Sequence, residues 1–255
     1  MLRSMYSGVA GMKNFQVKLD VIGNNISNVN TIGFKKSSIQ FQDLLSQTVS
    51  TSGANPMQVG LGSSAASLNV NHNPGSAIST GVSTDLTIMG DGFFIVQSPE
   101  DENERYLTRA GSFTLDSEGY LITAQGYNVL DTDGEAVQIT PQGSNFSIDR
   151  LGNIMQEGAE NAIQIGMFSV DNPTSLEKVG GSMYKLGNQE AIENDAISDA
   201  GAINSQIGSG LLEMSNVDLT EEFTEMIIAQ RGFQANSRTI TTSDELLQEV
   251  VNLKR

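Results

Sequence analysis

Residues 219–251 read LTEEFTEMIIAQRGFQANSRTITTSDELLQEVV, and this stretch decides the architecture of the chain. Large apolar residues recur in it every seven positions, and a second row adds an apolar residue near each end. Such spacing is typical of a helix that packs against another helix along a narrow stripe. The first row is Leu219, Met226, Phe233, Ile240 and Leu247, and the second row includes Phe223 and Val251.

The start of this helix is marked by capping residues, and its second row is partly polar. Asp218 can accept the first free N–H groups, and Glu221 stands three residues further on, as in a capping box. Between its apolar ends the second row holds Gln230, Ser237 and Asp244. Polar side chains weaken a fully buried seam but specify register between subunits, so the pattern favours assembly into a polymer.

A second helix is predicted at the beginning of the chain. Asparagines prefer caps and turns, so this helix should end near residues 28–30, and Gly33 can take the left-handed conformation that follows a helix end. The apolar residues that step by three or four are Leu2, Met5, Val9, Met12, Phe15, Leu19, Ile22, Ile26 and Val29. Two narrow-striped helices pack against each other or against helices of other copies, and the periodicity alone leaves both arrangements open.

The region between the helices has a different pattern. Residues 46–83 are rich in serine, threonine and glycine, which predicts an extended connector with one short strand at 66–70. From residue 85 the apolar period becomes two, and two short strands or one bulged strand are predicted around Gly90-Asp91-Gly92. Residues 113–121 and 146–154 share apolar alternation interrupted by Asp-x-x-Gly, which predicts two hairpins of the same kind.

Candidate catalytic and metal-binding residues have simpler interpretations. Asp131 to Glu135 opens like a calcium loop but lacks the later ligands, so a hairpin turn is predicted there. His72, the only histidine, is predicted to be an exposed loop residue, and Lys35 and Lys36 are predicted to keep a loop solvated. No set of residues meets the requirements of an active site, so an enzyme is not expected, and neither a cofactor nor a metal is predicted.

Composition is consistent with these interpretations. The 255 residues include no cysteine, and twenty of the 30 acidic residues lie between positions 51 and 210, giving a net charge of -16. An acidic middle argues against a nucleic-acid partner, because phosphates require a basic surface. No apolar stretch reaches the ~20 residues of a membrane span, and the first residues lack a signal-peptide core, so export without cleavage is expected if the protein leaves the cell.

Five motifs resemble those of the axial proteins of the bacterial flagellum, the hook and rod proteins. Their most recognisable positions include Asn24, Asn25, Asn28, Gly33, Phe34, Gly90, Gly92 and Asn236. The motifs are LDVIGNNISNVNTIGFK at 19–35, GDGFF at 90–94, RAGSFTLD at 109–116, SNVD at 215–218 and QRGFQANS at 230–237. They cover both ends of the chain and the central strands.

This resemblance implies a fold and a division into domains. The implied fold class is α+β, with paired, coiled-coil-like terminal helices and a central β-rich domain of short antiparallel strands. The terminal helical polymerisation domain would comprise residues 1–45 and 211–255, followed inward by the connector at 46–83 and a β-rich outer domain at 84–210. The apolar helix residues named above would then form the packing between subunits.

The resemblance also implies a function, in which subunits exported by the flagellar type III apparatus form a tube. Its partners would be other copies of the chain, other rod proteins, the hook cap and the hook-filament junction proteins. The ends of the chain look most like the compact hook proteins of Gram-positive bacilli, which are often labelled distal-rod proteins. The hook is therefore the expected assembly and the distal rod the alternative, with a soluble binding domain or enzyme a remote third. In a hook, alanine at Gly60 and Gly62 is expected to stiffen the connector.

Overall fold

The computed structural model describes residues 2–50, 57–99, 104–139, 146–156, 163–187, 197–203 and 205–253. Long helices stand at the two ends of the chain, and the region between them is rich in β-strands. The protein is therefore of the α+β class. The chain divides into two compact units. Unit 1 comprises residues 1–27, 36–71 and 217–255, and unit 2 comprises 28–35 and 72–216.

Unit 1 contains both helices and a two-stranded ribbon. Its elements are α1 (Leu2–Ser27), β1 (Ser37–Asp43), β2 (Gln47–Ser50), β3 (Met57–Val59), β4 (Ser63–Val70) and α2 (Leu219–Leu253). Strand β1 pairs antiparallel with β4, and β2 pairs antiparallel with β3. The predicted strand at 66–70 is confirmed as part of β4, whereas the predicted lack of other strands in the connector was wrong for β2, β3, the start of β4 and a strand at 77–79. Alternation in Gln47–Val49 is weak, so pairing rather than local pattern decides these strands.

The predicted end of α1 and the predicted start of α2 are both confirmed to within one helical turn. Helix α1 ends at Ser27 in a turn closed by the Thr31 N–H donating to the Asn28 carbonyl at 3.1 Å. Val29 therefore lies beyond the helix rather than on its stripe. Asp218 caps α2, because its Oδ1 accepts from the N–H groups of Thr220 at 2.8 Å and Glu221 at 3.4 Å.

Unit 2 holds the remaining strands. They are β5 (Ala77–Ser79), β6 (Leu86–Met89), β7 (Phe93–Gln97), β8 (Arg105–Thr108), β9 (Phe113–Leu115), β10 (Leu121–Thr123), β11 (Asn128–Val129), β12 (Phe146–Ile148), β13 (Asn153–Gln156), β14 (Ile163–Gln164), β15 (Met167–Phe168), β16 (Leu176–Gly180), β17 (Met183–Leu186), β18 (Gln206–Ser209) and β19 (Leu211–Glu213). A 3₁₀ turn, Pro173–Ser175, precedes β16.

The main sheet of unit 2 has the order β16-β17-β8-β7-β11-β10-β9, and β15 also pairs with β7. Strands β12, β13 and β14 form a second sheet, while the late strands β18 and β19 pair with the early strands β6 and β5. All these pairings are antiparallel among the described residues. The sheets enclose an apolar core that includes Leu86, Phe94, Phe113 and Leu121, each at most 1% exposed.

The two similar segments, 113–121 and 146–154, are confirmed as two hairpins with the same hydrogen bonds. In one hairpin, the Gly119 N–H donates to the Asp116 carbonyl at 3.0 Å, and in the other the Gly152 N–H donates to Asp149 at 2.9 Å. Both glycines have positive φ, 87° and 83°. Only glycine adopts this conformation without steric cost, which is why the Asp-x-x-Gly pattern recurs.

The structure decides two further local predictions. Two strands, β6 and β7, flank Gly90-Asp91-Gly92, and they belong to different sheets. Asp131 accepts through Oδ1 from the N–H groups of Asp133 at 2.9 Å and Glu135 at 3.0 Å, which makes this segment a tight turn as predicted. The sequence also predicts a solvated loop tip between strands at the acidic run of 100–104, and this run lies outside the described residues except for Glu104.

Candidate functional site

The two helices of unit 1 contact each other through small residues. A Cβ atom added to Gly232 would lie 2.5 Å from the Phe15 ring, and one added to Gly8 would lie 3.0 Å from Thr239 Oγ1. Further along, Lys18 Nζ lies 2.5 Å from Glu225 Oε2. Positions that increase along α1 meet positions that decrease along α2, so the helices run antiparallel.

The centre of this contact is not the predicted row of large apolar residues. The buried residues of α2 are Glu222, Ala229 and Ser243. Glycines and short side chains let two backbones approach closely, and larger side chains then stand at the margins of the contact. Two of the predicted apolar residues do take part in the contact, since added Cβ atoms on Gly232 and Gly8 would lie 2.5 Å from the Phe15 ring and 3.3 Å from Ile240 Cγ1.

The predicted packing residues differ in how far unit 1 covers them. Ile22 is buried, whereas Val9, Phe223 and Val251 are 51%, 50% and 64% exposed. The half-buried residues are Met5, Met12, Phe15, Leu19, Ile26, Met226, Ile240 and Leu247. Leu219 and Phe233 are exposed at 40% and 37%, and the side chain of Leu2 lies outside the described residues. A large part of the predicted apolar rows thus faces outward from unit 1.

Asparagines of the family motifs tie unit 1 together. Asn25 is buried, donates through Nδ2 to the Ser37 carbonyl at 2.9 Å and accepts from the Ser37 N–H at 3.0 Å. Its Nδ2 also lies 3.2 Å from Glu222 Oε2. Asn236 occupies the contact between the helices, since a Cβ added to Gly11 would lie 2.7 Å from its Nδ2. Asn24, by contrast, is exposed.

In unit 2, residues from several motifs meet in a buried charge cluster, defined here as Lys35, Arg109 and Glu213. Lys35 is 0% exposed and forms an ion pair with Glu213 Oε1. Arg109 Nη1 lies 3.5 Å from Glu213 Oε2, and its Nη2 donates to the Gly90 carbonyl at 2.9 Å. One carboxylate therefore pairs with two buried cations.

Backbone groups complete the surroundings of Glu213. Its Oε1 accepts from the Gly75 N–H at 2.9 Å, and its own carbonyl accepts from the Gly33 N–H at 2.9 Å. Gly33 has a φ of 67°, and a Cβ there would lie 2.5 Å from the Ala110 backbone nitrogen. Only glycine fits this position, which explains the glycine of the first motif.

The prediction that Lys35 keeps a loop solvated was wrong. Burial lowers the pKa of the Lys35 ammonium, and the Glu213 carboxylate opposes that change. An unpaired buried cation is strongly destabilising, so Lys35 depends on Glu213. Lys36 differs, because it belongs to unit 1 and pairs with Glu221 at 2.7 Å on a largely exposed surface. The Glu221 carboxylate, which belongs to the predicted capping box, therefore accepts from Lys36 Nζ.

The prediction of an exposed His72 was also wrong. Its ring packs against Phe93 and Tyr184, with centroids 5.7 Å and 5.4 Å away, and neither ring nitrogen has a hydrogen-bond partner. Burial, together with the nearby positive charges of Lys35, Arg109 and Lys178, lowers the pKa of His72 to about 4. The imidazole is neutral at physiological pH.

The remaining motif residues lie around this cluster. Phe34 is half-buried beneath Lys178, whose Nζ is 4.8 Å from the ring centroid. Gly90 and Gly92 have φ values of 126° and 122°, and Gly90 carries the carbonyl bound by Arg109. The sequence indicates each motif, but not that the motifs meet around one charge cluster, because their residues are far apart along the chain.

Helices at both ends of the chain, a β-rich region between them in sequence and exposed apolar residues on the helices define a protein of the α+β class. Three family models match the chain. They are described as flagella basal body rod protein over residues 5–35, flagellar hook protein FlgE/F/G D1 domain over 87–156, and flagellar basal body rod FlgEFG protein C-terminal over 209–253.

The chain belongs to the family of flagellar basal-body rod and hook proteins. It is 47% identical to the flagellar basal-body rod protein FlgG of Bacillus subtilis and 34% identical to that of Borreliella burgdorferi, over the full length of both chains in each case. It is 29% identical to the flagellar hook protein FlgE of Borreliella burgdorferi, again over all of both chains.

This membership confirms the expected class of protein. The family consists of structural flagellar proteins and is not a class of enzymes. Its members are components of the flagellar basal body and hook. Across the described part of the chain, no helix combines the length and apolar character needed to cross a membrane.

Proposed function

We propose that this chain polymerises into the tubular flagellar hook, the universal joint that transmits motor torque to the filament. The observation that carries the proposal is the outward-facing apolar surface on the terminal helices of unit 1. Phe223, Ile227 and Val251 are each at least 50% exposed, although they lie on a helix whose other face is already packed. Apolar residues in such a row gain free energy when another copy covers them.

The contacts between copies would use the same helical residues as the sequence predicted. Coiled-coil-like packing between subunits would bury the outer rows of α1 and α2, while the small-residue contact holds the pair within each subunit. Polar residues on α2, such as Gln230 and Asp244, would specify register between copies. The acidic β-rich domain at 84–210 would form the outer layer, with 1–45 and 211–255 as the polymerisation domain and 46–83 as the connector.

The distal rod is the second candidate, and the alignments favour it in one respect. The chain aligns with the rod proteins of Bacillus subtilis and Borreliella burgdorferi over 267 positions, but with the Borreliella hook protein over 444 positions. The hook protein is therefore much longer than this chain. The resemblance of the chain ends to compact hook proteins of bacilli, and the glycine-rich connector, support the hook.

The proposed partners are copies of this chain, other rod proteins, the hook cap and the hook-filament junction proteins. The chain would reach the cell exterior through the flagellar type III export apparatus without a cleaved signal peptide. A hook must bend while it rotates, so neighbouring subunits must move between packings of similar free energy. The connector, including Gly60 and Gly62, is the proposed place for this compliance.

Electron microscopy of basal bodies from a strain lacking this chain tests the proposal. Complete rods that end without a hook would support the hook function. Rods that stop short of the outer envelope, also without hooks, would support the distal rod. Complete basal bodies with normal hooks would contradict both functions. Restoring the gene should restore the missing structure and serves as the control.

A further inference from the structure

The buried charge cluster lies where the chain repeatedly enters and leaves unit 2. The chain passes between units at 27/28, 35/36, 71/72 and 216/217. Lys35 is the last residue before one passage, and His72 is the first after the next. Glu213 stands a few residues before the final passage. The cluster and its neighbours therefore belong to the segments that enter and leave unit 2.

Hydrogen bonds from these segments converge on two residues, Glu213 and Asn73. Besides its bonds to Gly33 and Gly75, Glu213 pairs with Lys35, which also donates to the Asn73 carbonyl at 2.8 Å. The same Asn73 carbonyl accepts from Asn216 Nδ2 at 3.0 Å. Three segments distant in sequence, 28–35, 72–76 and 211–216, are thus held together by bonds that converge on Glu213 and Asn73.

The apolar core described above contains no member of the charge cluster. Its side chains come from β6 to β11, β13, β15, β17 and β18, and from residues 137, 139, 165 and 200. A second, smaller cluster of buried side chains does contact the charged residues, because Arg109 lies 5.2 Å from the ring centroid of Phe93. Strands β9 and β10 pair over three residues and carry Phe113 and Leu121 of the apolar core. Because local opening follows the contacts of each region, the cluster and the core need not open together.

We propose that the Lys35–Glu213–Arg109 cluster is a latch that holds segments 28–35, 72–76 and 211–216 together and opens without unfolding the apolar core. Glu213 is its central member, because it is the carboxylate that both buried cations face. Removing that charge leaves Lys35 and Arg109 unpaired in a buried site, and such cations favour an open state in which water reaches them. The latch thereby sets how firmly the chain is held where it leaves unit 2.

Hydrogen exchange on the full chain, followed by mass spectrometry, tests the latch. In the Glu213→Gln variant, peptides containing Gly33 and Gly75 are expected to exchange at least about tenfold faster, while β9 and β10 keep their rates. The matched control is Glu221→Gln, which removes the exposed ion pair with Lys36 in unit 1. This control should leave exchange at Gly33 and Gly75 unchanged.

Two results would overturn the proposal. Unchanged exchange at Gly33 and Gly75 would show that the cluster does not restrain these segments. Equal acceleration in β9 and β10 would show that the cluster is part of one cooperative core. If Glu213→Gln does not fold, Lys35→Gln carries the test, because Arg109 still neutralises Glu213 in that variant. Faster exchange confined to residues 28–35 would then support the latch, and global or unchanged exchange would refute it.

Discussion

Replacement of Phe223 by glutamine separates assembly from folding. The side chain is 50% exposed, so about half of its apolar surface remains to be covered by another copy. Full burial of a phenylalanine contributes about 1.5–3 kcal/mol, and covering the remaining half contributes roughly 1 kcal/mol. A loss of this size raises the critical concentration for polymerisation about fivefold to tenfold. Pelleting of polymers grown on sheared native seeds measures that concentration.

The control for this experiment is Ile22→Val. Ile22 is 4% exposed, and removing one buried methylene costs about 0.5–1.5 kcal/mol of unfolding free energy. Phe223→Gln should lose a similar amount from the half that unit 1 already covers. The two variants should therefore match in urea unfolding but differ in critical concentration. An unchanged critical concentration in Phe223→Gln would refute the assignment of this face to subunit contact.

Three further predictions concern single residues of the two units. Gly62 has a φ of 117° and Gly60 does not have positive φ, so Gly62→Ala should strain the ribbon by about 1–3 kcal/mol and reduce swarming more than Gly60→Ala does; equal swarming by both would contradict this. His72 has a pKa of about 4 when folded and 6.5 when unfolded, so the unfolded state binds a proton first as pH falls. Unfolding free energy should therefore decrease between pH 6.5 and 4, by roughly 1–2 kcal/mol after allowing for partial exposure of the ring, and urea titrations of His72→Phe should lack this component. Gly111→Ala would place a Cβ 1.7 Å from the Leu86 carbonyl oxygen, so thermal unfolding should show a loss of about 3 kcal/mol, and wild-type stability would rule out the close approach.

The sequence predicted the elements whose signals are local. Both helices follow from apolar spacing, and the cap at Asp218 was identified because its bonds lie within three residues. The hairpins at 113–121 and 146–154 were identified for the same reason. In each case the residues that form the structure are neighbours along the chain, so the pattern and the structure occupy the same window.

The parts that were missed depend on partners far away in sequence. A lysine beside a turn is ordinarily solvated, and Lys35 is buried only because Glu213 and Asn73 meet it. His72 is half-buried because Phe93 and Tyr184 pack on its ring. The central residues of the helix contact were missed because small side chains carry no apolar signal, although Gly232 was part of a quoted motif.

The bond between the Gly33 N–H and the Glu213 carbonyl has a consequence for the order of folding. It joins residues about 180 positions apart, and residues of strands β18 and β19 likewise pair with residues 117 to 136 positions earlier. Contacts of such separation carry a large loop-closure entropy and slow the rate of folding. A chain still under synthesis lacks β18 and β19, so β5 and β6 remain without their paired strands until synthesis has passed residue 213. Unit 2 can therefore complete its fold only after nearly the whole chain has been synthesised.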